Sequence, residues 1–169
     1  LPPEHRDLLD RLRRRYRMGI LSNFDFSPPL RALLDSHGIA DWFETVVISA
    51  DIGCRKPSPR AFSAALDASK VPLPAVLHVG DTWVADVEGA CGASVDVAWI
   101  NLHGETPPQD GRATFVIERL TQLEPLSLEH GLLEIQAPGK AERDYCRRHA
   151  TRLFTEAAQT ATGRLVGVC

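Results

Sequence analysis

Three apolar runs in this chain each give way to side chains that could act on a charged group. "GILSN", residues 19–23, stops at a hydroxyl and an amide, Ser22 and Asn23. "TVVIS" leads through "ADIGCRK" to Lys56, and "AVLHVGD" ends at Gly80-Asp81, with Asp86 five residues further on. A phosphoryl group in transfer spreads negative charge over its peripheral oxygens. A site for it needs a cation, short hydrogen-bond donors and carboxylates able to hold a magnesium ion. Ser22 is short enough to bring its hydroxyl and the neighbouring amides close to such an oxygen. Lys56 is a compact charge on a long stem, suited to a phosphate or to a nearby carboxylate. Asp81, directly after a glycine, can approach a hard cation closely, and Mg2+ takes one or two carboxylates with waters and substrate oxygens. On this reading the first run ends in Ser-Asn because it ends at a phosphate, with Ser22, Asn23 and Lys56 as the anion-binding candidates.

The elements that must position these residues follow from the pattern around them. Leu8, Leu12 and Tyr16, with Leu9 beside them, make one stripe of a helix starting near Pro3, and a strand is expected over residues 18–22. "FSPPLRALLDSHG" predicts a helix with Ser27 as N-cap, Pro28 or Pro29 in its first turn and Gly38 just past its end. "TVVIS" predicts a strand, "SPRAFSAALDAS" a helix capped by Ser58 with Pro59 first, "AVLHVG" a strand, "VADVEGACG" a helix and "VDVAWIN" another strand. Short apolar strands alternating with amphipathic helices define an α/β, doubly wound, Rossmann-like parallel sheet. In such sheets ligands bind beyond the carboxyl ends of the strands, which is where Ser22, Lys56, Asp81 and Asp86 would meet. After Leu102 comes the loop "HGETPPQDG", then an edge strand in "TFVI" and a short helix in "ERLTQL", so the α/β domain is expected to span residues 1–124. Residues 125–169 form an extension, mainly helical: "KAERDYCRRHATRLFTEAAQTA" is apolar at 146, 150, 153, 154, 157 and 161.

Composition narrows the function classes. The 169 residues are 44% hydrophobic, enough for one core, and the net charge of −3 offers no general attraction for nucleic acid or anionic lipid. "RLRRRYR" is simplest as the solvated face of the first helix. No apolar run is long enough to span a bilayer and no leader opens the chain, so a cytoplasmic protein without membrane contact is expected. Cys54, Cys91, Cys146 and Cys169 are scattered and read as reduced thiols, and none of the six histidines is assigned a role. No P-loop and no G-x-S-x-G elbow occurs. The chain begins with leucine and leads straight into a helix, which suggests a fragment or a processed product.

"ILSN", "RKPSPRAF", and "HVGDTWVAD" followed by "EGACGA" resemble the second, third and fourth motifs of the haloacid dehalogenase-like hydrolases, most of them magnesium-dependent phosphatases. The likeness covers about residues 1 to 124 and is nearest to the capped phosphatase-like branch. It implies that Ser22 binds the transferring phosphoryl group, Lys56 steadies nucleophile and phosphate, and Asp81 ligates Mg2+. Asp86 would be a second metal ligand or an anchor for Lys56. Two departures stand out. Ser58 occupies the place between the two prolines where the family often has Asp. More gravely, the family's first motif, a strand ending in Asp-x-Asp that supplies the covalent nucleophile and the acid/base, has no counterpart in the chain.

Without that carboxylate no aspartyl-phosphate can form, and the chain alone is expected to be nearly inactive. The strand bearing it is the central one of the family's sheet, between the strands ending at Ser22 and Asp81. The terminal run "RLVGVC", residues 164–169, is a candidate to fill that place, though it brings no aspartate. The resemblance therefore implies a phosphatase acting on a small phosphorylated metabolite with its nucleophile outside the chain. The alternatives are a dehalogenase, a catalytically silent phosphate-binding or interaction domain, or, fitting the residue order less well, a response-regulator-like receiver.

Overall fold

The computed structural model describes residues 1–107 and 112–123, with the backbone of 125–126 and 134–135. The expected helix within 140–161 and the run 164–169 lie outside the described residues. In chain order the elements are α1 (Pro3–Arg13), β1 (Gly19–Ser22), α2 (Ser27–Ser36), a 3-10 turn (Ala40–Trp42), β2 (Thr45–Ile48) and α3 (Ser49–Ile52). They continue with α4 (Pro59–Ser69), a 3-10 turn (Leu73–Ala75), β3 (Leu77–Gly80), a π-helix (Trp83–Glu88), α5 (Gly89–Gly92), β4 (Asp96–Ile100) and β5 (Phe115–Ile117). A 3-10 turn (Leu120–Leu123) and the short antiparallel pair β6 (Pro125–Leu126) and β7 (Glu134–Ile135) complete them.

Proline opens the helices as expected, because its missing amide would have no intrahelical partner in the first turn. The two serines expected as side-chain caps act differently. Phe26 holds the N-cap position of α2, and Ser27, already helical and buried, donates its hydroxyl to Asp51 of α3, which Arg31 also reaches at 3.0 Å. The hydroxyl expected to cap the helix is instead given to a carboxylate of α3. Ser58 does stand at the N-cap of α4, but it caps only through its carbonyl, which accepts the Ala61 amide at 2.9 Å.

The strands β1 to β5 pair in parallel, as the alternation with helices requires. β1 pairs with β2 from Gly19↔Thr45 to Ser22↔Ile48, and β4 lies between β3 and β5. Side chains alternate across β4 as a period of two demands. Val97 and Trp99 join Phe62 of α4, Val87 and Ala90 on one face. Ala98 joins Phe115, Ile117 and Leu123 on the other, with Leu77 and Val79 of β3. Both faces of the sheet are thus covered, α4 and the π-helix on one side and the Leu120–Leu123 turn, contacted by α1, on the other.

The sheet is not continuous among the described residues: β1-β2 forms one ladder and β3-β4-β5 another. Between β1 and β3 runs a cavity of about 180 Å³, bordered by Ile20, Leu21, Leu77 and His78 and floored by Phe62 and Leu66 of α4. Its lining includes the residues at and before the amino ends of β1, β2 and β3, among them Arg17 and Glu44, which pair at 2.6 Å.

Candidate active site

The carboxyl ends of β1 and β3, with the loop after α3, carry the residues singled out in the sequence, and a run of hydrogen bonds ties them together. Asn23, following Ser22, accepts the Lys56 amide on its Oδ1 at 2.7 Å and donates its Nδ2 to the Lys56 carbonyl at 2.9 Å. The Asn23 side chain, expected at the phosphate, is therefore a strut that fixes the main chain of Lys56; Ser22 stands half-buried one residue before it. The Lys56 Nζ reaches Asp86 Oδ1 at 2.6 Å, and this pair is nearly withdrawn from water, with side chains 11% and 5% exposed. Ammonium groups have three donors, so Lys56 keeps two for another anion.

Asp86 comes to this position through the winding of the segment after β3. That segment turns as a π-helix, and Asp86 lies so close over Gly80 that a Cβ there would sit 2.2 Å from the Asp86 Cγ. A second glycine seats the same segment: a Cβ on Gly89 would be 2.9 Å from the Pro57 Cα and 2.7 Å from the Phe62 ring. Gly89 of "GACGA" thus serves close packing against α4 and the turn before it, whereas Gly92 has open space around it.

Three donors converge on Asp86. His78 Nε2 lies 2.9 Å from Oδ1, the atom Lys56 also contacts, and the Thr82 amide donates to Oδ2 at 2.9 Å. Burial alone pushes this carboxyl up, but the bonds from His78, Lys56 and the Thr82 amide, with the charge of Lys56, outweigh it. The carboxyl is held well below the usual carboxylate range. Both oxygens of Asp86 are engaged, and one of them holds the Lys56 ammonium.

Asp81 differs: its side chain is exposed, with the Thr82 hydroxyl 3.3 Å from Oδ1. Its main chain is fixed from below. Trp99, beside Gly80 in the ladder, is buried and donates its Nε1 to the Asp81 carbonyl at 3.0 Å, while its ring meets Trp83 edge-on at 4.8 Å. Among the described residues no three His, Cys, Asp or Glu side chains gather as a metal site. Asp81 is the carboxylate here whose exposure suits a hydrated divalent ion bound by few protein ligands.

Sequence reasoning missed His78 and Trp99. His78 carried a signal, as the one polar side chain inside the apolar run "VLHVG". Trp99 carried none, because an indole in an apolar strand looks like core.

The comparisons with known proteins agree with the α/β fold. A family model described as haloacid dehalogenase-like hydrolase matches residues 1–93. The chain belongs to that family. It is 33% identical over 124 residues to the pyrimidine 5'-nucleotidase YjjG of Escherichia coli (strain K12), covering 73% of this chain and 55% of the relative. The solved structure of a HAD phosphatase from Thermococcus onnurineus superposes with a TM-score of 0.65 at 27% identity, over 73% of this chain and 56% of that one. That of a 2-haloacid dehalogenase from Pseudomonas syringae pv. Tomato DC3000 gives 0.63 at 30% identity, over 72% and 50%. The chain spans about half the length of these relatives. No helix among the described residues is long and apolar enough to cross a membrane.

Proposed function

We propose that these residues form the larger part of a Mg2+-dependent phosphatase for a small phosphorylated metabolite. The observation that carries this reading is the buried Lys56–Asp86 pair, held by Asn23 on one side and by His78 and Thr82 on the other, at the strand ends where Ser22 and Asp81 also stand. In this reading the Ser22 hydroxyl donates to a peripheral phosphoryl oxygen. The two remaining Lys56 protons neutralise charge that develops as the phosphoryl group transfers. Asp81 would hold Mg2+, which supplies electrostatic stabilisation of the phosphoryl oxygens when bound. Asp86, its oxygens taken, keeps the ammonium in place.

The nucleophile and the acid/base are supplied by a segment outside these 169 residues, docked between β1 and β3, where the described ladders stop. One observation favours a catalytically silent domain instead: no Asp-x-Asp occurs in the sequence. The nucleotidase and phosphatase among the relatives weigh toward phosphate chemistry, and a dehalogenase also lies within the same fold.

Expressing the chain with and without the coding sequence upstream of Leu1, and measuring Mg2+-dependent phosphate release, tests the reading. Turnover is expected in the extended form only. Comparable release by the short form contradicts the mechanism, and none by either form leaves the silent domain.

A further inference from the structure

His78 sits on β3 with its side chain turned toward α4, 13% exposed, and its ring meets Phe62 edge-on at 5.2 Å and 77°. Its neighbours on that face, Val97 and Phe62, are apolar, so packing alone would be served by an apolar side chain. What distinguishes His78 is its bond. An ionised carboxylate only accepts, so the ring nitrogen facing Asp86 Oδ1 at 2.9 Å carries the proton and donates it. That oxygen is the one Lys56 Nζ touches at 2.6 Å. Lys56 reaches it from a flexible four-carbon stem, and the Thr82 amide at 2.9 Å holds only the other oxygen, so His78 is the rigid side-chain donor on Oδ1. The imidazole is rigid, its backbone belongs to a paired strand, and Phe62 limits its rotation.

We propose that His78 is a positioning residue of this site: its Nε2–H locks the Asp86 carboxylate, and through it the Lys56 ammonium, in the place where a phosphoryl group is met. The proposal rests on the phosphatase reading for its catalytic consequence, but the lock itself is a property of the chain as it stands. His78 touches neither substrate nor metal in it.

Three variants separate the bond from the packing. His78→Phe keeps a ring against Phe62 and removes the donor, His78→Gln places an amide N–H near the position of Nε2, and His78→Asn carries one that falls short. In the 169-residue chain labelled with 15N-lysine, the hydrogen-bonded Lys56 ammonium is expected as a sharp, slowly exchanging signal. The Phe and Asn variants lose it and Gln keeps it. In the extended, active form, His78→Phe lowers kcat roughly ten- to hundredfold with KM changed less than about threefold, since misplacing a charged group costs mainly the transition state. Gln restores most of kcat. An unaltered ammonium signal in the Phe variant overturns the proposal, as does a Gln variant no better than Phe. If the Phe variant does not fold, Asn against Gln decides by the same two readouts. An extended form without phosphatase activity overturns the functional reading alone, and the ammonium signal still settles the lock.

Discussion

Two places where β1 and β3 approach one another are built in opposite ways. At their carboxyl ends, Asn23, Lys56, Asp86, His78 and Thr82 are joined by bonds of 2.6–2.9 Å. Along their facing edges, and toward their amino ends, the described residues leave a cavity lined largely by apolar side chains and no ladder between the strands. The polar cluster does not depend on a strand between them. It is assembled by the loop that brings Lys56 to Asn23 and by the π-helical turn that brings Asp86 over Gly80. Among the described residues the polar cluster is therefore fully joined by its own bonds, while the two ladders beneath it are not joined to one another. Disturbing the cluster should cost much, and disturbing the opening little.

The largest effect is expected from Asp86→Ala. It leaves the Lys56 ammonium buried without its counter-charge, which costs about 3–5 kcal/mol for a buried pair. Urea unfolding of the 169-residue chain measures it, and a loss under about 1 kcal/mol would show that the cluster is not a unit. Acid sharpens the same point. Asp86 titrates near ~3.9 when unfolded and lower when folded, so its contribution is fully present above about pH 5. It falls away as pH drops through the folded value, where both states are protonated. The stability gap between wild type and Asp86→Ala should narrow on acidification below about pH 5; a gap of constant size there would remove Asp86 as its source.

Gly80→Ala comes next, at about 1–3 kcal/mol, because the new methyl meets Asp86 itself. In an Asp86→Ala background only part of that cost should vanish, since the Cγ and Oδ2 it meets are gone while the Cβ of residue 86, 2.6 Å from the new methyl, remains. Additive losses in the double variant would place the strain elsewhere.

How much of this was legible in the sequence depends on the range of the interaction. Ser22 and Asp81 can be singled out because each stands at the end of an apolar strand, and Lys56 because it stands in the segment after another, since strand ends in a doubly wound sheet share one edge. The β–α alternation is equally plain, since hydrophobic period and proline placement are local. The role of Asn23 was not legible: its partner is the main chain of a residue 33 positions away, and main-chain partners leave no trace in residue type. Asp86 left two roles open in the sequence, and the three donors that meet it come from residues 56, 78 and 82, which no spacing rule joins. Ser27 shows the same limit in reverse, since its type and position fit a cap while the nearby Asp51 gives its hydroxyl a better acceptor. His78 is a polar side chain in an apolar run, but a single carboxylate as partner leaves no spacing pattern in the sequence.

A smaller loss is expected from Trp99→Phe, which keeps most of the ring against Trp83 but drops the bond to the Asp81 carbonyl. About 1 kcal/mol should go with that bond. In the extended form the apparent affinity for Mg2+ should weaken, because the residue carrying the exposed carboxylate is no longer held from below. Unchanged metal dependence would separate Asp81 from its support.

The smallest effect belongs to the opening. Ala65 of α4 lines the cavity between β1 and β3, and Ala65→Leu adds three carbons to space that is already there. Inserting the same volume into a close-packed core typically costs about 1–3 kcal/mol. Here the change in stability of the 169-residue chain should stay within about 1 kcal/mol. In the extended form the sign should be clearly unfavourable, because a strand docked there closes the space the leucine needs. The contrast between the two forms, read by urea unfolding of each, tests whether this edge of the sheet is a receiving surface. Equal tolerance in both would mean that the added segment lies elsewhere, and the open edge would then have to be explained by the chain's own packing.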